Sequence, residues 1–391
     1  MPLRVTHFID SLGPGGAQAQ LLYVLQGLDR AQWQPDLAWY DRRPPFRPLP
    51  PDIVAEPIPR QGRLDRQFPQ RIRQLLNPQR TDLVHAWLQG PSLYAGLAHA
   101  LPRTVPLITS IRCSAAAFAT DRVAGRMHLT GALLADRTLV NCRDVIPWLL
   151  ARGVPSPAIV HLPNVLNPAL EHRQPPDAQA KKTLLESLNL DPRTPPIVLL
   201  GRFDRYKNQD GLLRALGLLR AQGVNLPPIL LAGEVEDPWR VQKVQQLADQ
   251  HGLQVTIVPA VQDAANLLAA ARLSVLCSHS EGSPNVVLEA LAMGGLCVAT
   301  RVGEVSDLIL DNETSLIAAP GNDEALAQRI HIALELPPEV VRAMGERARA
   351  DVRKRFSASV LIPRLQDLYA DVVAHPRPAW QQQVRRKLHL S

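Results

Sequence analysis

Short runs of apolar residues alternate with helical stretches along nearly the whole chain, and the alternation starts, breaks off and starts again. Leu3 to Ile9, Asp36 to Tyr40, Leu83 to Ala86, Leu107 to Ser110, Thr138 to Asn141 and Ala158 to Leu162 read as strands in the first half. Ile53 to Pro57 reads as a short strand inside a Pro-rich loop from Arg42 to Arg60. After a polar, Pro-containing stretch from Glu171 to Pro196, the series resumes at Ile197 to Leu200, Ile229 to Ala232, Val255 to Val258, Leu273 to Cys277 and Cys297 to Thr300. Strands that are apolar throughout, rather than on alternate residues, are covered on both faces. Parallel neighbours need long crossover connections, and helical stretches fill those intervals here. The pattern predicts an α/β chain of two Rossmann-like β/α/β domains facing across a deep cleft.

A length of 391 residues exceeds one ordinary core, which agrees with two domains. The expected division is an N-terminal domain over 1–170, a linker region over 171–195, a second domain over 196–370 and a basic helical tail over 371–391 that packs back on the first domain. The composition, 46% hydrophobic and 20% charged, is that of a globular chain. The longest apolar stretch falls short of a membrane helix. The N-terminus lacks the basic region, apolar region and cleavage site of a signal peptide, so a cytoplasmic protein is expected. Cys113, Cys142, Cys277 and Cys297 show no metal-ligand spacing and read as buried thiols.

The net charge of +7 suits nucleic acid, an anionic membrane or a phosphorylated substrate. Aromatic residues make up only 4% and do not interleave with basic clusters, so no nucleic-acid partner is expected. Peripheral attraction to an anionic membrane stays open, on the Arg122 and Arg126 pair beside Phe118 and the tail Arg385-Arg386-Lys387.

The segment Glu281-Gly-Ser-Pro-Asn-Val-Val-Leu-Glu289 follows the strand Leu273 to Cys277. Ser283 fits an N-cap and Pro284 the first helical position, with an apolar run beyond. Strand, turn and helix start beside acids form the layout of an anion and sugar site at the carboxyl edge of a parallel sheet. Glu289, five residues past Pro284, lies about 7–8 Å up the helix. A carboxylate there suits a pair of vicinal hydroxyls, whereas Glu281 lies nearer the cleft. Solvated acids are the plain alternative for both. Arg202 follows Gly201 at the end of the strand Ile197 to Leu200, with Lys207-Asn208 just beyond. Two cations on that loop suit a diphosphate, the guanidinium as a planar fork and the ammonium as a point charge. Gly13-Pro-Gly15-Gly16 lies between the first strand and first helix, where glycine lets backbone approach a ligand. It is neither a dinucleotide fingerprint nor a P-loop, and a tight turn explains it equally well. His85 and Arg112 close their strands as cleft-rim candidates, and His85 serves as well as a satisfied structural histidine.

Taken together, these residues resemble the retaining GT-B glycosyltransferases of family 4. Glu281 to Glu289 is similar to that family's Glu-x7-Glu motif, Gly201-Arg202 with Lys207-Asn208 to its phosphate clamp, and Gly15-Gly16-Ala-Gln to its N-terminal glycine loop. Val84-His85-Ala86 resembles its sugar-contacting His segment, and Ala299-Thr-Arg-Val-Gly303 its closing region. The chain departs from the pattern at Ser283, Glu304 and Ser315, and at Pro163-Asn164-Val165-Leu166-Asn167.

The resemblance implies a nucleotide-sugar donor, a UDP-sugar above others, and a glycan or lipid-linked acceptor in surface polysaccharide biosynthesis. It implies Arg202 and Lys207 on the departing diphosphate, assisted by the amides of Asn285 and Val286. Glu289 is implied on the ribose and Glu281 on the hexose, with His85 and the Gly15-Gly16 loop completing the site. Retention at the anomeric carbon is implied. Without an Asp-x-Asp motif at a strand end, no metal or other cofactor is expected. Two other classes remain: a sugar-nucleotide-processing enzyme of the same fold, such as an epimerase or phosphorylase, and a non-catalytic sugar-nucleotide-binding protein.

Overall fold

The structure is a computed structural model, and it describes residues 1–41, 45–62, 65–100, 103–235, 238–258, 261 and 263–377. The basic tail Arg385-Arg386-Lys387 and residues 42–44 of the Pro-rich loop lie outside the described residues. The chain forms two units, one of Met1–Val165 with the segment from Ala358 onward, the other of Leu166–Ser357.

The first unit is built on a parallel sheet of β1 (Leu3–Ile9), β2 (Trp33–Trp39), β3 (Val54–Pro57), β4 (Leu83–Trp87), β5 (Leu107–Ile111), β6 (Arg137–Val140) and β7 (Ile159–His161), in the order 3-2-1-4-5-6-7. β4 and β5 are buried at every position, which explains why they are mostly apolar rather than apolar on alternate residues. The second unit repeats the plan with β8 (Ile197–Leu200), β9 (Ile229–Ala232), β10 (Val255–Val258), β11 (Leu273–Leu276), β12 (Cys297–Thr300) and β13 (Leu316–Ala318), in the order 10-9-8-11-12-13. In each sheet the winding reverses once, between β1 and β4 and between β8 and β11. Ligands of open α/β sheets bind outside the carboxyl ends of the strands at such reversals.

Four sequence expectations shift. The interval after the strand Leu107 to Ser110, one of those expected to hold a helical stretch, holds two helices, Ala115–Thr120 and Arg122–Leu134, because Asp121 leaves helical geometry and its side chain caps the second at Ala124 N. Phe118 is buried between Trp148 and His128, so it offers no surface anchor beside Arg122 and Arg126. Cys113 is only partly buried, while the other three cysteines are buried, and all four are free. The division at Val165 and Ser357 also differs from the expected boundaries at 170, 195 and 370.

The last of these shifts has a physical reason in the helix Ala358–Ala374, which packs on the first unit. Its Leu361, Leu365, Tyr369 and Val372 are fully buried. Ile362 packs so closely on the helix Gly16–Gly27 that a Cβ at Gly27 would lie 2.9 Å from it. Gln366 Oε1 accepts from Asp29 N at 3.1 Å, and Asp371 pairs with Arg137 at 3.0 Å.

Candidate active site

At the reversal in the second unit, the loops leaving β8 and β11 meet. β8 ends at Leu200, and the chain turns through Gly201, Arg202 and Asp204 into the helix Gln209–Ala221. Asp204 Oδ1 accepts from the amides of Tyr206 and Lys207 at 2.8 and 3.0 Å, which fixes the turn. Asn208 then takes a left-handed φ of 55° and caps the helix through Gly211 N. Asparagine tolerates that conformation because its short side chain bonds locally. Its Nδ2 also donates to Cys277 O at 3.1 Å, and His279 N donates to Tyr206 O at 2.8 Å. These bonds stitch the β8 loop to the β11 loop.

Lys207 Nζ lies 2.6 Å from Glu281 Oε1, and Ser278 Oγ donates to the same oxygen at 2.6 Å. The Lys207 and Glu281 side chains are only 20% and 14% exposed, so water screens this pair weakly. Arg202 differs: its side chain is 51% exposed and meets Asp204 at 3.4 Å, a contact of little energetic weight. Loss of that contact to a ligand would therefore cost little.

Two glycines allow the close approach of these loops. A Cβ on Gly233, at the end of β9, would lie 2.0 Å from Gly201 O. Gly303 has φ +52°, and a Cβ there would lie 2.1 Å from Glu281 O and 2.2 Å from Gly282 O. The β12 exit thus presses on the backbone that carries Glu281, and Glu304 N donates to Gly282 O at 2.9 Å.

The helix Asn285–Ala292 starts one residue later than the Ser283 cap implied. Pro284, with ψ 112°, is its N-cap, and no side chain caps it. A proline φ of −76° serves equally at a first helical position and at an extended cap, so sequence does not choose between them. The amides of Asn285 and Val286 head the helix, and its first turn carries no acid. Helix amides and the positive dipole end favour an anion at this point. Glu289, half-buried, stands in the following turn. Arg202, Lys207, Glu281, Asn285, Val286 and Glu289 therefore all belong to the second unit, on the loops and helix that follow β8 and β11. Ser278 escaped the sequence reading, since a serine near a strand end carries no special signal, and Gly303 entered it only as the end of the segment Ala299 to Gly303.

The other candidates lie in the first unit. Gly15 and Gly16 are exposed at the head of the helix Gly16–Gly27, where Gly15 is the N-cap. His85 requires a correction. It is fully buried, with Nδ1 2.6 Å from Tyr369 Oη and Nε2 2.6 Å from Ser110 Oγ. Both ring nitrogens are occupied within the fold, and burial holds its pKa well below the ordinary value. His85 is a structural histidine here, not a sugar contact. It shares its cluster with His7, whose pKa burial lowers to about 3. Arg112, just past β5, is partly exposed and stacks on Trp87 at 4.4 Å. Among the described residues no group of three or more His, Cys, Asp or Glu side chains forms a metal cage. No helix among them is long and apolar enough to cross a membrane.

Comparison with known proteins agrees with this architecture. Residues 14–170 match the family model for Glycosyltransferase Family 4, and residues 180–351 match that for Glycosyl transferases group 1. The N-acetyl-alpha-D-glucosaminyl L-malate synthase of Bacillus anthracis is 35% identical over 109 residues, 28% of each chain. This match thus spans about a quarter of that relative's length. The D-inositol 3-phosphate glycosyltransferase of Streptomyces bingchenggensis is 27% identical over 316 residues, 75% of this chain and 67% of the other. In fold, the chain is similar to Anabaena HepE, solved in complex with UDP and glucose, with a TM-score of 0.80 at 18% identity over 94% of this chain and 100% of that one. Two doubly wound parallel sheets, a clamp-like loop pair in the second and family matches over both halves lead to one assignment: the chain belongs to the group 1, family 4 glycosyltransferases of GT-B fold.

Proposed function

We propose that this glycosyltransferase is a retaining, metal-independent enzyme. It moves a hexose or N-acetylhexosamine from a nucleotide-sugar, with UDP as the carrier, to a glycan or lipid-linked acceptor in surface polysaccharide assembly. The observation that carries this reading is the Lys207 to Glu281 contact of 2.6 Å between the β8 and β11 loops. It holds a mobile cation and a fixed carboxylate at the strand edge where a diphosphate sugar would lie. As the glycosidic bond to the diphosphate breaks, negative charge gathers on the leaving phosphate. Lys207 Nζ, the Arg202 guanidinium and the amides heading the helix Asn285–Ala292 supply positive potential there without rearrangement of solvent. Glu281, steadied by Ser278, orients the sugar, and Glu289 takes the ribose hydroxyls. The choice of UDP has support from HepE, a neighbour in fold whose structure holds UDP and glucose.

Thermal unfolding in the presence of nucleoside diphosphates tests this reading, because a ligand of the native state raises the melting temperature. UDP is expected to raise it by several degrees, and GDP and ADP by less. NMR of the product is then expected to show the donor's anomeric configuration kept, with turnover indifferent to EDTA. An inverted product, or UDP without effect, would overturn the proposal.

A further inference from the structure

Among the described residues no carboxylate pairs with the Arg112 cation. Arg112 leaves β5 at the carboxyl edge of the first sheet, and its guanidinium carbon lies over the Trp87 ring, 4.4 Å from the ring centre. Of its five N–H donors one makes a long bond, Nη1 to Asn164 Oδ1 at 3.4 Å, and Nε is buried with no partner. A second donor to the same Asn164 oxygen repeats this state. Asn141, past the end of β6, donates Nδ2 to the same Asn164 oxygen at 3.0 Å, while its own Oδ1 is buried with no partner. Two side chains at two adjacent strand ends, joined through Asn164, thus carry unsatisfied hydrogen-bonding atoms.

Such a cluster is costly unless something completes it. A guanidinium whose Nε is withdrawn from water loses hydration there that one ring face only partly replaces. Burial accordingly lowers the Arg112 pKa to about 10, with Tyr369 as the one group acting in the other direction and no carboxylate among the causes. The facing groups offer no charge: His7 and His85 are neutral by burial, and Tyr369 comes from the helix Ala358–Ala374. Native structures keep buried polar atoms paired, so an exception at the ligand-binding edge of a sheet marks a binding function.

We infer that Arg112, with Asn141 and Asn164 beside it and Trp87 beneath it, forms an oxyanion site in the first unit for a phosphate or carboxylate carried by the acceptor. A planar fork with open donors suits two oxygens of one oxyanion. The Trp87 ring holds the guanidinium in plane, and Trp87 is itself held by its Nε1 bond to His7 Nδ1 at 3.1 Å. Only the word acceptor rests on the transferase reading above. The oxyanion site stands or falls by binding measured with no donor present.

The test uses the full chain and two simple probes, inorganic phosphate and malonate. Arginine Nε–H resonances are followed by NMR, with that of Arg112 identified by its loss in Arg112→Gln. Addition of at least one probe is expected to move the Arg112 resonance and to raise the melting temperature. That rise is expected to fall at least fivefold in Arg112→Gln, to survive in part in Arg112→Lys, and to persist in Lys207→Ala, where a second phosphate site is removed. Whichever probe acts at the lower concentration names the group as phosphate or carboxylate, and equal action names a general oxyanion site. Melting without probe checks that each variant folds. An Arg112 resonance that neither probe moves, or a thermal rise equal in wild type and Arg112→Gln, overturns the inference.

Discussion

On the proposed mechanism Lys207 and Glu281 set the chemistry at the residue scale, since each holds the other in a place that water reaches poorly. Lys207→Ala removes positive charge from the leaving phosphate and strands a carboxylate. Glu281→Ala frees the ammonium and removes the acceptor of Ser278 Oγ. Each is expected to lower turnover about a hundredfold or more, the range seen when one transition-state donor is lost. Steady-state kinetics at saturating donor checks this, and wild-type rates in both variants would sink the assignment. The placement of these two residues was legible because it is local: a lysine seven residues past a strand, and an acid five past another. His85 was not legible in the same way. Its sequence neighbours suggest a rim position, yet its partners Ser110 and Tyr369 stand 25 and 284 positions away. Nothing near His85 in the chain announces that its nitrogens are already taken.

Elements carry their own consequences, and buried histidines make one measurable. Burial holds His7 at about 3 and His128 at about 4, and keeps His85 well below its ordinary 6.5. As pH falls below 6.5 the unfolded chain takes up protons at these rings while the native chain refuses them. Stability is therefore full above 6.5 and declines as pH falls towards 4 and 3. The slope approaches about 1.4 kcal/mol per pH unit for each such histidine. The urea midpoint is expected to drop between pH 7 and pH 5, and His128→Leu, which keeps an apolar group against Phe118, is expected to flatten that drop. A midpoint unchanged over this range would mean that the rings are charged in the fold. Most strands were readable as short, mostly apolar runs, and Ile197–Leu200 and Ile229–Ala232 are apolar throughout. β13 was missed, because three residues, Leu316 to Ala318, make too short a run to stand out. The helix Asn285–Ala292 was readable to within one residue.

On the scale of the whole molecule, the last helix belongs to the first unit although it follows the second. The four buried side chains Leu361, Leu365, Tyr369 and Val372 each contribute about 1.5–3 kcal/mol of burial, roughly 6–12 kcal/mol together. A whole domain is stable by only about 5–15 kcal/mol. Ending the chain at Ser357 is therefore expected to unfold the first unit and spare the second. Hydrogen exchange reads this directly: amides of β1 and β4 should exchange freely while those of β8 and β11 stay protected. Equal protection in both sheets would show that the helix is dispensable. Sequence placed this helix with its neighbours in the chain because its apolar face does not say which surface it covers.

The same arrangement bears on how the protein is made. The second unit is an insertion within the first, and its two ends are tied side by side by Leu166 N donating to Phe356 O at 2.7 Å. A ribosome delivers β1 to β7 early, but Tyr369 emerges only after an interval of about 190 residues. At about 5–20 residues per second that delay lasts roughly 10–40 s. Throughout it the seven-stranded sheet lacks its final cover, so a nascent chain of this kind calls for chaperone shelter on the part that was translated first.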